Sequence, residues 1–177
     1  VMIDRSKLIV LCDSREQRWI HIENRLQVLK IAYKVVHLLT SDYSFIYDGV
    51  DYTDKFGIER KANWSEIAGN VTKKPPPKYE SKELGLVIKL EFERAKVFDY
   101  FALLIEDKRG YEGMEYMKKH NYKTNLAFQK RMIKRFITNR SFEFKEIGKD
   151  LKLIYCNKTE TANIILNEIE RYLIEKI

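Results

Sequence analysis

Short apolar runs bounded by charge recur along this chain, and they constrain its fold more than any other feature. Lys7 to Asp13 (KLIVLCD), Val35 to Leu39, Tyr100 to Glu106 (YFALLIE) and Leu151 to Cys156 are each of strand length and rich in apolar side chains. Runs of that kind read as buried strands, Tyr100 to Glu106 most clearly. The segments between them carry the helical period instead. Ile22, Leu26, Leu29, Ala32 and Tyr33 recur at helical spacing within Gln17 to Lys34. Glu80 to Lys96, Leu126 to Arg140 and Thr159 to Ile177 also read as helices, the last with Asn157 or Thr159 as its cap. Ser41 to Asp48 and Phe56 to Lys61 alternate with a period of two, and Asp48-Gly49 marks a turn between them. Asn63 caps a short helix through Gly69. Lys73-Lys74-Pro75-Pro76-Pro77-Lys78 fits neither helix nor central strand. Asp107 to Lys123, with Gly110 and Gly113, is a looser segment. Such an order predicts an α/β chain with a central mixed sheet and helices on both faces.

A length of 177 residues, without internal repeat or dividing linker, predicts one domain over 1–177. Lys and Arg number 33 against 26 Asp and Glu, a net charge of +7 that suits a polyanionic partner without specifying one. Cys12 and Cys156 are the only cysteines, which excludes a cysteine-rich metal site and points to a reduced, intracellular protein. No apolar run reaches the roughly 18 residues that a membrane span needs. Val1-Met2-Ile3 reads as a short addition ahead of a natural start at Met2, not as a targeting peptide.

The chemistry concentrates at Asp42 and at Glu59-Arg60-Lys61. Residues i and i+2 of a strand point the same way, about 6.6 Å apart. Glu59 and Lys61 therefore share one face, and Ile58 and Arg60 the other. A carboxylate from a neighbouring strand, such as Asp42, completes an oxygen site for Mg²⁺, a hard cation that keeps several waters. The ion would lower the pKa of a bound water and offset charge growing on a phosphate, while Lys61 orients or deprotonates that water or stabilises the transition state. This is the logic of the PD-(D/E)XK nucleases. An acid two residues before a lysine is also common at strand ends as a solvated ion pair.

The wider arrangement resembles the XPF-type structure-specific endonucleases. Asp13-Ser14-Arg15-Glu16 matches their aspartate-x-arginine-glutamate group, and Ser41-Asp42-Tyr43 their Gly-Asp-Tyr. Glu59-Arg60-Lys61 matches the signature triplet, Leu103-Leu104-Ile105-Glu106 a following strand, and Leu153 to Cys156 with Thr159 to Ala162 the closing strand and helix. The resemblance spans about residues 8 to 175. It implies a restriction-endonuclease-like sheet and a metal-dependent endonuclease acting on DNA, branched DNA included, with Mg²⁺ or Mn²⁺ as cofactor. It implies that Asp42 and Glu59 ligate the metal with Asp13 near it, and that Lys61 serves the water. Arg15 and Arg60 contact phosphate or brace the carboxylates, and Glu16 completes the group. The bland readings are a surface ion pair for Arg15, a brace buried against Asp42 for Arg60, and a helix cap for Asp13.

The sequence also departs from the family. Ser41 replaces the glycine before the aspartate, and Ser65 stands where the family carries an aspartate four residues after its lysine. Glu66 comes next, about 100° further round the helix. The proline segment has no counterpart, and no helix-hairpin-helix or helicase module is present. The competing reading is a catalytically inactive DNA-binding or dimerisation module of the same fold.

Lys73, Lys74 and Lys78 flank the proline run, and Lys130, Arg131, Lys134 and Arg135 form a stripe opposite Phe128, Met132 and Phe136. Each set is either a phosphate-contacting surface or a solvated face. The resemblance further implies a homodimer, or a heterodimer with a related subunit. The helix from Asn163 to Leu173 offers Ile165, Ile169 and Leu173 as its apolar face.

Overall fold

The structure, a computed structural model, describes residues 1–117 and 125–177. Residues 118–123 of the looser segment lie outside the described residues. The described elements run β1 (Leu8–Asp13), α1 (Ile20–Val28), β2 (Ala32–Val36), β3 (Tyr43–Tyr47), β4 (Val50–Asp51), β5 (Phe56–Lys61), α2 (Trp64–Thr72), α3 (Leu86–Ala95), β6 (Tyr100–Ile105), α4 (Leu126–Glu146), β7 (Leu151–Tyr155) and α5 (Thr161–Lys176).

One mixed sheet is ordered β2-β1-β3-β5-β6-β7, with β4 paired to β3. β1 runs parallel to β2 and antiparallel to β3, and β3 runs antiparallel to β5. β5, β6 and β7 run parallel. Two reversals leave β1 pointing the same way as β5. Asp13, Lys61 and Glu106, at or just past the ends of β1, β5 and β6, therefore meet at one edge of the sheet. The first turns of α1, α2 and α5 follow β1, β5 and β7 at that edge. Their free amide groups favour negative charge there.

Period-two alternation divides the core between the two faces. Ala102 and Leu104 of β6 join β1, β3, α1 and α5 on one side. Phe101, Leu103 and Ile105 join α2, α3 and α4 on the other. Glu59 and Lys61 turn toward the α3 side, and Arg60 toward α1 and α5.

Several boundaries differ from the sequence expectation, for identifiable reasons. The helix expected to reach Lys34 stops at Val28, because Lys30 takes a left-handed conformation (φ 56°) and Ala32 begins pairing with β1. Ala32 and Tyr33 thus belong to edge strand β2, which ends at Val36 and leaves Leu39 in a loop. Asp48-Gly49, with φ 49° and 79°, makes the two-residue turn of a β3–β4 hairpin, and β4 itself was not expected. α2 runs past Gly69 to Thr72. The α3 segment does not start at Glu80, because Glu80 and Gly85 both take left-handed conformations, and the helix begins at Leu86. α4 continues to Glu146, and its buried face is Gln129, Ile133, Ile137, Arg140 and Phe144, not Phe128, Met132 and Phe136. Neither Asn157 nor Thr159 caps α5, whose N-cap position is Glu160. Ile165, Ile169 and Leu173 are no free face. They are buried against β1, β3 and α1, so the apolar stripe of α5 is spent on this chain's own core.

Candidate active site

β5 reads FGIERK, and all six of its residues are buried. Three consecutive charged side chains out of water are costly unless each is paired. The structure supplies the pairs on two faces of one strand.

Asp42 and Glu59 line a cavity of about 480 Å³ together with Lys61, Arg15, Ser65 and Glu66, and Glu16 and Arg60 also border it. Asp42 enters through a tight turn. Its amide donates to Ile58 O (3.0 Å), its carbonyl accepts from Asp13 N (2.8 Å), and its Oδ2 accepts from Arg60 N (2.8 Å). Ser41, just before it, holds φ 73°. A Cβ on Gly57 would lie 2.7 Å from the Phe98 ring and 2.8 Å from the Ser41 Cβ, so this turn packs too closely on β5 for a larger residue at 57. The left-handed conformation costs a non-glycine residue roughly 1–2 kcal/mol. Ser41→Gly is therefore expected to stabilise the protein by about 1 kcal/mol, read as a raised denaturation midpoint, and an unchanged or lowered midpoint would show that the Ser41 hydroxyl matters more than the strain.

Lys61 Nζ lies 3.3 Å from Glu59 Oε1 and 4.0 Å from Glu66 Oε1. Glu66 does reach the site despite its angle round α2. Its other oxygen accepts from Ala62 N (2.8 Å), while its amide donates to Asn63 Oδ1 (2.9 Å), a reciprocal cap on α2. Burial works against the charge on Lys61, but Glu59, Asp42 and Glu66 outweigh it and raise its pKa, so it stays an ammonium. Burial pushes Asp42 well above the usual carboxylate range, and the neighbouring Glu59 pushes it further. Burial lifts Glu59 to about 7, against the pull of Lys61 and with a push from Glu91.

These shifts have a sign. A carboxyl whose folded pKa is raised contributes stability that is complete below its unfolded pKa and is lost as pH rises through the folded one. The metal-free protein should therefore lose stability between about pH 4.5 and pH 7 on account of Glu59. Melting temperatures across that window, with Asp42→Asn/Glu59→Gln as control, read the effect. A parent that falls no further than the double variant would refute it.

A second cavity, of about 220 Å³, lies on the other side of the same two carboxylates, and Asp13, Arg15, Glu91 and Arg94 help to line it. Asp13 has both oxygens engaged. Oδ1 accepts from Leu38 N (2.9 Å) and Oδ2 from Arg15 Nε (2.8 Å), while Arg15 also donates to Leu38 O (2.8 Å). The pair ties the loop after β2 to the end of β1, and Arg15 still borders both cavities.

On the opposite face, Arg60 is committed to protein partners. Its terminal nitrogens reach Gln17 O, Arg18 O, Glu16 Oε1 (3.2 Å) and Glu106 Oε1 (2.7 Å). It braces Glu16 and Glu106. The Asp42 carboxylate meets only its backbone amide. Glu106, 2% exposed, also accepts from Thr161 Oγ1 (2.5 Å) and meets His21 Nε2 at 2.6 Å. Burial acts to raise the Glu106 pKa, but Arg60, Thr161 and His21 together hold it below the usual value. Burial raises that of Glu16.

Sequence reasoning missed Glu91 and Arg94, which arrive on α3 without any local signal, and the His21–Glu106–Thr161 cluster. Glu106 did stand out as the charge closing the β6 run. Of the expected phosphate-contacting residues, Lys73, Lys74, Lys78, Arg131, Lys134 and Arg135 are exposed. Lys130 is paired with Glu115 (3.1 Å).

No family model matches the chain, and no curated protein sequence matches it significantly. Solved structures do match in fold. XPF from Aeropyrum pernix in complex with DNA superposes with a TM-score of 0.55 at 14% identity, covering 95% of this chain and 66% of that one. XPF from Aeropyrum pernix alone gives 0.54 at 15%, covering 89% and 57%. The chain thus spans less than two thirds of either. Its mixed sheet with helices on both faces is the restriction-endonuclease-like fold of those XPF structures. Among the described residues, no helix is long and apolar enough to cross a membrane.

Proposed function

We propose that this chain, sharing the fold of the XPF structures, is a metal-dependent endonuclease that hydrolyses DNA phosphodiester bonds, branched or flap DNA included. The observation that carries the reading is the convergence of half-buried Asp42 with buried Glu59 and Lys61 at an open cavity. Buried charges in a cleft with strongly shifted pKa values mark functional sites more than stabilising ones. A structure of similar fold was solved with DNA bound.

The residues fit a divalent cation. Mg²⁺ is commonly held through one or two carboxylates with waters completing its shell, and Mn²⁺ accepts the same oxygens. Asp42 and Glu59 would hold it. Asp13, which borders the second cavity with both of them, would lie near it, and among the described residues no three acidic, histidine or cysteine side chains form a metal-binding group. When bound, the ion supplies Lewis acidity and a more acidic water. Lys61, 3.3 Å from Glu59, would orient or deprotonate the attacking water, or donate hydrogen bonds and positive charge to a phosphate oxygen. Arg15, at the rim of both cavities, offers a guanidinium to a flanking phosphate. Glu16, Arg60 and Glu106 hold the end of β5 in place from the far face.

The two-carboxylate set, with Ser65 in place of a third acid, favours the second reading, an inactive DNA-binding module. Cleavage of labelled duplex, flap, fork and four-way junction DNA with Mg²⁺ or Mn²⁺, beside Asp42→Asn and Lys61→Ala, decides between them. Metal-dependent cutting abolished in both variants is the expected result. Binding without cutting, unchanged in both, would establish the module. A homodimer or heterodimer would have to bury other apolar side chains than those expected on α5, among which Ile20, Val28 and Ile174 are exposed.

A further inference from the structure

A cavity of about 380 Å³ opens between the end of α2, the start of α3 and the middle of α4, apart from the acidic site. It borders Val71, seven residues beyond Trp64 and so about 10 Å along α2. Its volume lies within the roughly 300–1,000 Å³ of small-ligand sites.

Three features of this cleft suit an anion. The ten-residue helix α3 begins at its edge, just after Gly85, without any side-chain cap; the Leu86 amide donates to Glu83 O (3.4 Å), and the positive dipole end of the helix favours an anion there. Arg140 lines the wall with a side chain only 7% exposed. One terminal nitrogen donates to Glu143 Oε1 (2.7 Å), its Nε has no partner, and its guanidinium lies over the Phe136 ring. A buried guanidinium left partly unsatisfied is costly unless a further acceptor completes it. Arg135 stands exposed at the rim and makes no ion pair among the described residues. Lys89 is also at the rim, paired with Glu83 at 3.0 Å, and Glu83 is the one acid lining the cleft among the described residues. That pair is partly exposed and therefore weak, so an incoming anion can take Lys89 from it. Phe128, Met132 and Phe136, expected on the apolar face of α4, add apolar surface to this opening on the same helix, Met132 and Phe136 while also packing against the core.

We infer that this cleft is a phosphate-binding subsite that takes a nucleotide. Its phosphate sits between the α3 N-terminus, Arg140 and Arg135, and its sugar and base lie against Phe128 and Met132. Arginine forks favour phosphate oxygens, and aromatic side chains accept any base face. The inference stands on a cavity separate from Asp42 and does not need the chemistry there.

Calorimetric titration of the full chain with deoxyadenosine monophosphate, deoxyadenosine and inorganic phosphate tests it. The monophosphate should bind about tenfold or more tightly than the nucleoside, the equivalent of one charge-assisted hydrogen bond, and inorganic phosphate should displace it. Arg140→Gln also removes the Glu143 pair and strains folding, so the exposed Arg135→Glu carries the test and should weaken the monophosphate about tenfold or more. Equal binding of nucleoside and monophosphate, or parental binding by Arg135→Glu, overturns the subsite. Oligonucleotides with 5′-phosphate and 5′-hydroxyl ends distinguish the sources. Preference for the former assigns a terminal phosphate, and equal binding that Arg135→Glu weakens assigns an internal phosphodiester. Failure of DNA cleavage alongside monophosphate binding would overturn the nuclease reading and leave the subsite standing.

Discussion

Arg60→Ala is expected to destabilise the protein by about 3–5 kcal/mol, a large share of the roughly 5–15 kcal/mol that holds a domain together. The guanidinium is 3% exposed and bridges Glu16 and Glu106, whose side chains are 9% and 2% exposed. Burial opposes its charge, and the two carboxylates more than compensate, so its pKa is raised. Removal leaves two buried acids without their cation, and uncompensated charge costs far more than an intact pair contributes. Arg60→Lys should recover only part of the loss, because a point charge cannot reach both acids and the Gln17 and Arg18 carbonyls as the planar fork does. Glu106 adds a pH signature. Its folded pKa is depressed, so its stabilising contribution is present above the unfolded value and is lost as pH falls through the folded one, that is, in acid below about pH 4.5. That acid-range loss should be smaller in Arg60→Ala. Urea unfolding at pH 7 and pH 4 measures both effects, and a cost below about 1 kcal/mol would mean that the acids are already neutral or hydrated.

Glu59→Gln should move activity and stability in opposite directions. On the proposed function, it removes one of two carboxylates that would hold the cation and one partner of Lys61, and cutting should fall by on the order of 10²–10³-fold, as for loss of one preorganised charge-stabilising group. Above pH 7 the same change replaces an ionised, largely buried acid by a neutral isostere. With its folded pKa lifted to about 7, the metal-free protein should gain roughly 1–3 kcal/mol at pH 8 and almost nothing at pH 4. For a chain of this length that is about 2–4 °C per kcal/mol in melting temperature. A variant that loses activity and stability together would make Glu59 a structural partner of Lys61. One that gains stability and keeps full activity would remove Glu59 from the chemistry.

Glu59 and Arg60 are adjacent residues on opposite faces of β5, and the two faces serve different ends. Arg60 anchors the strand end from the α1–α5 side, where the side chains of its two carboxylate partners are largely shielded from water. Glu59 and Lys61 face a cavity, where burial raises the energy of the carboxylates and leaves room for a cation. Natural proteins tolerate such cost at sites of function, offset by packing elsewhere.

Period and punctuation in the sequence were enough to locate β1, β3, β5, β6 and β7, the caps and turns at Asn63 and Asp48-Gly49, and the sharing of a face by Glu59 and Lys61. These depend on interactions a few residues long, which local residue choice controls. The tertiary structure alone decided the rest. Lys30 ends α1 early because the following residues find a partner in β1, and periodicity cannot weigh a helix turn against a distant strand. The stripe of Ile165, Ile169 and Leu173 looks the same whether it meets another chain or its own sheet, and here the sheet takes it. Arg60 carries the same charge whether it waits for a phosphate or closes on Glu16 and Glu106. Glu91 gives no local signal at all, since it reaches the carboxylates from a helix placed by packing. A residue's chemistry can be read from its type and spacing, but which groups neutralise it and whether water reaches it depend on segments far away in the chain, and only the folded arrangement brings those together.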